Sequence, residues 1–193
     1  MALRAKMKVQ SIPNYQHGLT LLELLVTVAI LGILVTVVAP NIQSILIKNR
    51  ITGDVNTLSA VAQRARFTAV DEQTDVTLCP TSNYTSCVSD WKNAKMVFID
   101  SNGNGSRENS ETLIASSDPM HAQNAVSGIT GTITFNEQGA ISTQASITIC
   151  PSSGENSYAS ALLLSLYGRI AIAIDSDGDN VKEDLSGNAL SCS

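Results

Sequence analysis

The sequence predicts an α+β protein in which a long N-terminal helix packs on a C-terminal antiparallel β-domain. Three observations predict this class: an apolar run over residues 19–39, an amphipathic stripe of helical period within 40–73, and short β-prone runs separated by turn residues over 74–193. The length of 193 residues suits one domain of ordinary size with an appendage.

The apolar run carries a single charge, that of Glu23. As a helix, residues 19–39 would extend about 31 Å, which is enough to cross a bilayer core of about 30 Å. A cleaved secretory signal is the alternative, but the apolar region of such a signal has only about 7–15 residues and ends at a small-residue site. This run is longer and ends in Ala39-Pro40. We therefore predict a retained transmembrane helix.

The helix is predicted to continue past Pro40 as an amphipathic segment that ends near residue 73. Its apolar residues recur every three or four positions, which is the spacing of one helix face. Such a stripe is typical of a helix that faces a core, so we expect it to pack on the chain's own C-terminal domain. The stripe consists of Ile51, Val55, Leu58, Ala62, Ala65 and Ala69.

From about residue 75 the helical period gives way to short β-prone runs. Clusters of Gly, Asn, Ser and Asp separate them, as expected of an antiparallel β-domain. Strands are predicted at 76–79, 95–99, 112–115, 131–135, 146–150, 161–167 and 169–174.

All four cysteines follow the apolar run, and an even number of cysteines is typical of disulfides in an oxidising compartment. A cytosolic zinc site is the alternative, but no CxxC pair is present. We therefore place the N-terminus in the cytoplasm and the β-domain outside. Four cysteines allow three connectivities, which the sequence leaves open. Of these we favour Cys79 with Cys87, which enclose a short polar loop, and Cys150 with Cys192, which would hold the C-terminal tail to a strand.

One loop of the predicted β-domain matches the spacing of an EF-hand calcium loop. Asp100, Asn102 and Asn104 take its first three side-chain positions, and Glu111 takes its last. An EF-hand loop joins two helices, whereas the flanking segments here are predicted strands. Asp, Asn and Gly are also common in hairpin loops. The context therefore favours a hairpin loop over a calcium site.

A second acidic loop contains Asp175, Asp177 and Asp179. It lacks the glycine of the EF-hand pattern at the sixth position and has Ser186 where the last ligand would stand. We interpret it as a surface loop as well. The sequence therefore predicts no metal and no cofactor.

Composition and motifs argue against an enzyme and against a general nucleic-acid coat. The net charge is −5, whereas a nucleic-acid coat needs a basic face. The chain has two histidines and contains no Gly-rich phosphate loop, no HExxH and no GxSxG motif. We predict that it has no catalytic activity.

Residues 17–25 read His-Gly-Leu-Thr-Leu-Leu-Glu-Leu-Leu and follow a short basic leader. This segment strongly resembles the N-terminal signature of type IV pilins and pseudopilins. The resemblance implies that residues 1–18 are a leader, which a prepilin peptidase removes between Gly18 and Leu19 before it methylates the new amine of Leu19. It also implies that Glu23 of a neighbouring subunit pairs with this amine when subunits assemble.

The layout of the whole chain is similar to the GspH/FimT branch of minor pilins and pseudopilins. A pair of cysteines brackets a loop before Trp91, and a late Gly-Arg precedes a strand. This resemblance implies a structural minor pilin that primes or joins assembly of a type IV pilus, or alternatively a pseudopilin of a type II secretion system. The implied partners are other pilins, through the N-terminal helix, the prepilin peptidase and inner-membrane lipid. The implied location is the inner membrane, with the β-domain in the periplasm, and then the filament at the cell surface.

A DNA-binding minor pilin for natural transformation is a third alternative. DNA-uptake members of the FimT branch carry Gly-Arg-x-Arg, where the arginines bind phosphate. Here Gly168 and Arg169 are present, but Ala171 replaces the second arginine. The acidic residues of the following loop would repel a phosphate backbone. These features favour a turn glycine and a lone surface arginine over a DNA site.

Overall fold

The computed structural model describes residues 18–192, apart from the side chains of residues 37–41. Apart from Gly18, the predicted leader therefore lies outside the described residues, as does Ser193. The chain divides into two compact units, with the boundary after Gln43. Among the described residues, no helix has both the length and the apolar content that a membrane crossing requires.

The N-terminal helix, α1, runs from Leu21 to Glu72. This confirms the prediction that it continues past Pro40. The helix ends at Glu72 because Gln73 takes a left-handed conformation, with φ 50°, and the backbone N–H of Thr74 donates to the carbonyl of Ala69 at 3.2 Å. That six-to-one bond is the Schellman arrangement, which satisfies a free carbonyl of the last turn.

In the described part of the chain, eight strands and one short 3-10 helix follow α1. They form two antiparallel four-stranded sheets, one in the order β3-β2-β1-β5 and the other in the order β4-β6-β7-β8. The strands are β1 Val76–Thr81, β2 Ala94–Ile99, β3 Leu113–Ser117, β4 Asn124–Ser127, β5 Ile133–Phe135, β6 Ala145–Pro151, β7 Ser160–Leu164 and β8 Ile170–Ile172, and the 3-10 helix is Asn156–Tyr158. The α+β class is therefore confirmed.

Each of the seven predicted runs overlaps a strand, but the structure differs from the prediction at the end of β7 and at β4. The run predicted to reach Tyr167 ends as β7 at Leu164, because the next four residues form a turn in which the N–H of Gly168 donates to the carbonyl of Ser165 at 2.8 Å. Strand β4 was not predicted. It is short, and its sequence Asn-Ala-Val-Ser lacks the aromatic and repeated β-branched residues that mark strands.

One hydrophobic core joins the helix to both sheets. The whole predicted stripe, from Ile51 to Ala69, is buried, which confirms that this face packs on the chain's own β-domain. The facing side chains include Leu78 of β1 and Ile149 of β6. Since each buried Val, Leu or Ile side chain contributes about 1.5–3 kcal/mol, this interface orders the C-terminal half of α1.

Lys95 of β2 is only 1% exposed and lines a cavity with Asp54 of α1. Its ammonium donates to the backbone carbonyl of Asn93. Burial lowers the pKa of Lys95 to about 8, although Asp54 and Asp90 oppose the shift. Between about pH 8 and pH 10.5 the unfolded state therefore binds more protons than the folded state, and the free energy of unfolding rises with pH.

We expect Lys95→Met to raise the free energy of unfolding by about 2 kcal/mol at pH 7, because it removes a buried charge. This advantage over the wild type should shrink as the pH rises from about 8 to 10.5, as Lys95 loses its proton. Urea titrations of the full chain in detergent at several pH values measure the difference, and Lys92→Met in the preceding loop is the matched control. A difference that stays constant with pH would contradict the prediction.

Candidate functional site

The first candidate site is the N-terminal end of α1. From Leu19 to Val35, every large apolar side chain is at least 46% exposed. A buried side chain of this size contributes about 1.5–3 kcal/mol, so this segment would gain much by contact with an apolar partner. The exposed residues are Leu19, Leu21, Leu22, Leu24, Leu25, Val26, Val28, Ile30, Leu31, Ile33, Leu34 and Val35.

Two threonine hydroxyl groups near this end of α1 donate to carbonyls of the helix itself. Thr27 Oγ1 donates to the carbonyl of Leu24 at 2.9 Å, and Thr36 Oγ1 donates to that of Gly32 at 2.9 Å. Such local bonds allow a threonine to face an apolar environment without an external partner. Glu23 is the charged residue of this segment, and its side chain is exposed.

Glu23 stands in the first turn of α1, where a carboxylate interacts favourably with the helix dipole. Its backbone N–H donates to Thr20 Oγ1 at 3.2 Å, so Thr20 is the N-cap. The segment Thr-Leu-Leu-Glu is a capping-box sequence, a signal that the sequence analysis missed. Gly18 and Leu19 precede the helix and are exposed.

The four cysteines form two disulfides, Cys79–Cys87 and Cys150–Cys192, each with a Cα–Cα distance of 5.7 Å. This is the pairing favoured from the sequence. Each bridge lies in its own small apolar cluster beside the main core. The first closes a loop after β1, and the second attaches the C-terminal tail to β6. Their role is structural, since bridges of this kind stabilise a fold by about 2–4 kcal/mol.

The loop from Asp100 to Glu111 connects β2 with β3, as its strand-flanked context predicts. Asp100 is buried and accepts from Thr77 Oγ1 at 3.0 Å, from the N–H of Asn104 at 3.0 Å and from the N–H of Gly105 at 2.8 Å. Its carboxylate therefore organises the loop.

Glu111 is also buried, and burial raises the pKa of its carboxyl group. Its two oxygens accept the backbone N–H groups of Ser101 at 3.1 Å and Glu108 at 3.0 Å. Asn102 and Asn104 use their side-chain oxygens for backbone N–H groups two residues on, at 3.0 and 2.7 Å. The four candidate ligands thus hold the loop together by internal hydrogen bonds.

The Gly-Arg pair lies in the turn between β7 and β8. Gly168 has φ 72° and packs directly on the neighbouring Gly139 loop, whose carbonyl also accepts from Arg66 Nε at 3.1 Å. Arg169 is exposed and lines a cavity with Arg66 and Phe67 of α1. The glycine is therefore explained by backbone packing. Arg169, predicted as a lone surface arginine, has Arg66 as a basic neighbour. The sequence did not show this because the two residues are distant in the chain.

Comparisons with known proteins agree with this architecture. Residues 54–168 match the family model described as "Type II transport protein GspH", and residues 13–39 match that of the prokaryotic N-terminal methylation motif. No curated protein sequence is significantly similar to the chain.

Two solved structures, both of the type IV minor pilin FimU of Pseudomonas aeruginosa, share the fold. The crystal form in space group P21 has a TM-score of 0.57 at 20% identity over 75% of this chain and 96% of FimU. The form in space group P65 has a TM-score of 0.53 at 19% identity, over 74% of this chain and 99% of FimU. Since the family model covers more than half of the sequence and follows an N-terminal methylation motif, the chain belongs to the GspH family of type IV pilin-like proteins.

Proposed function

We propose that the protein is a structural minor pilin that primes or joins assembly of a type IV pilus. One observation carries the proposal: the apolar start of α1 is exposed on all its large side chains and has a single carboxylate, Glu23. A surface of this kind is suited to a lipid or a bundle of similar helices, and it offers one charged group for register.

Processing supplies the partner of that charge. Cleavage between Gly18 and Leu19 by the prepilin peptidase would create a positive amine four residues before Glu23. Both groups are costly in an apolar environment, and each neutralises the other when the amine of one subunit meets Glu23 of the next. Loss of one partner costs more than the pair contributes, because the other charge is then left buried and unpaired.

Before assembly, residues 19–39 would anchor the subunit in the inner membrane, with the β-domain in the periplasm. An oxidising periplasm is consistent with the two disulfides of that domain. After extraction from lipid, the same apolar surface would pack against the helices of other pilins. Assembly, rather than catalysis, is the role that follows.

A strain that lacks this gene should lose most of its sheared surface pili, because the filament would lack a subunit that starts or joins it. The measurement is a count of pili sheared from equal numbers of cells, with the wild-type gene supplied in trans as the control. Normal pili together with defective protein secretion would instead favour the type II pseudopilin. Normal pili together with defective DNA uptake would favour the transformation role.

A further inference from the structure

The loop that follows β8 gathers four carboxylates. Asp175, Asp177, Asp179 and Glu183 each place one carboxylate oxygen so that all four oxygens lie within 4.8 Å of one another. Four negative charges this close repel one another, and a bound cation would remove the repulsion.

Backbone groups of the loop hold the aspartates in place. Asp175 accepts the N–H groups of Gly178 at 2.7 Å and Asn180 at 3.0 Å. Asp177 and Asp179 each accept one backbone N–H, at 3.1 and 2.7 Å, through their Oδ1 atoms. The second oxygen of each of these two side chains remains for a further partner.

Glu183 provides an independent observation. Its side chain is only 8% exposed, and its Oε2 accepts the N–H and the hydroxyl of Ser176 at 2.8 and 2.9 Å. Its Oε1 is fully buried and has no hydrogen-bond partner. A buried carboxylate oxygen without a donor is costly, and a cation held at this carboxylate would offset that cost.

We propose that Asp175, Asp177, Asp179 and Glu183 bind a calcium ion. Calcium takes six to eight oxygen ligands and accepts several carboxylates, whereas magnesium keeps most of its water and a strict octahedral geometry. The three aspartates alternate along the chain as the first three side-chain ligands of calcium loops do. This site does not depend on the proposed role in pilus assembly.

The other acidic loop brings no comparable group of carboxylate oxygens together among the described residues, although Glu108 of that loop also has a buried oxygen without a hydrogen-bond partner. The carboxylate oxygens of Asp100 and Glu111 already accept hydrogen bonds from the loop and from Thr77. The structure therefore favours the loop after β8, although the sequence pattern alone favours the loop after β2. Calcium at the loop after β8 would hold it between β8 and the tail that Cys192 attaches to β6.

The test is the midpoint temperature of thermal unfolding of the full chain in detergent, measured in EDTA, in calcium chloride and in magnesium chloride. We expect millimolar calcium to raise the midpoint by about 5 °C and magnesium to have little effect. The double variant Asp177→Asn/Asp179→Asn should lose the calcium-dependent shift. Asp118→Asn, which removes an exposed carboxylate outside the cluster, should keep it.

Two outcomes would overturn the proposal: no calcium-dependent shift in the wild type, or a shift that the double variant retains. Calorimetric titration of calcium into the wild-type chain and the double variant adds a readout that does not depend on stability. Heat of binding in the wild type alone supports the site, and equal heat in both proteins rejects it.

Discussion

A Glu23→Ala subunit should be cleaved and inserted normally but should be absent from sheared filaments. The substitution leaves the apolar segment and its exposed side chains in place. It removes the charge that would neutralise the Leu19 amine of a neighbouring subunit, so that amine would be buried unpaired. Unpairing a buried charge costs about 3–5 kcal/mol, which corresponds to a loss of incorporation of about a hundredfold or more.

The helix cap offers a matched control for this prediction. Thr20→Ala removes the hydroxyl that accepts the N–H of Glu23 and retains the carboxylate. If charge neutralisation is the role of Glu23, the Thr20→Ala subunit should enter filaments at nearly the wild-type level. If capping of α1 is its role, the two variants should be impaired alike.

Immunoblots of sheared pili and of whole cells measure incorporation and processing separately. The whole-cell blot should show the mature size for both variants, because cleavage precedes assembly. Normal amounts of Glu23→Ala in the sheared fraction would contradict the pairing of Leu19 with Glu23.

The helix and most of the sheets follow from local sequence patterns. The spacing of Ile51 to Ala69 predicts both the helix and the face that it buries, because a helical period does not depend on contacts distant in the chain. The strands could be located because β-prone runs and the turn residues between them are also local patterns. Strand β4 escaped prediction because its pairing with Thr148–Pro151 of β6 supplies the order that its own sequence lacks.

The candidate sites were harder to predict from the sequence because they depend on contacts between residues that are distant in the chain. Lys95, which lies outside the candidate sites, shows the same difficulty: a lysine is expected to be exposed even at the start of a predicted strand, but the fold buries it. Likewise, the sequence could show the alternation of Asp175, Asp177 and Asp179, but not that the buried carboxylate of Glu183 would join them or that one of its oxygens would have no hydrogen-bond partner. A pattern identifies candidate ligands, whereas burial and hydrogen bonding decide whether they are already satisfied.

Gly168→Ala should be among the most destabilising single changes in the β-domain. A Cβ atom at this position would lie 1.7 Å from the carbonyl oxygen of Gly139 and 2.8 Å from Arg66 Nε, so the backbone of one loop would have to move. The position also has φ 72°, which disfavours any side chain. We expect the free energy of unfolding to fall by about 4 kcal/mol.

Gly187→Ala separates the two causes. Gly187 has a similar φ of 81°, but no atom lies within 4 Å of the Cβ position, so only the backbone cost of about 1 kcal/mol should appear. Urea denaturation of both full-length variants in detergent gives the comparison. If they lose equal stability, the contact with Gly139 is not what requires glycine. If Gly168→Ala loses much more stability than Gly187→Ala, glycine at position 168 is required for the close contact between two loops of the β-domain. The presence of this glycine in the Gly-Arg pair is then no evidence for DNA binding.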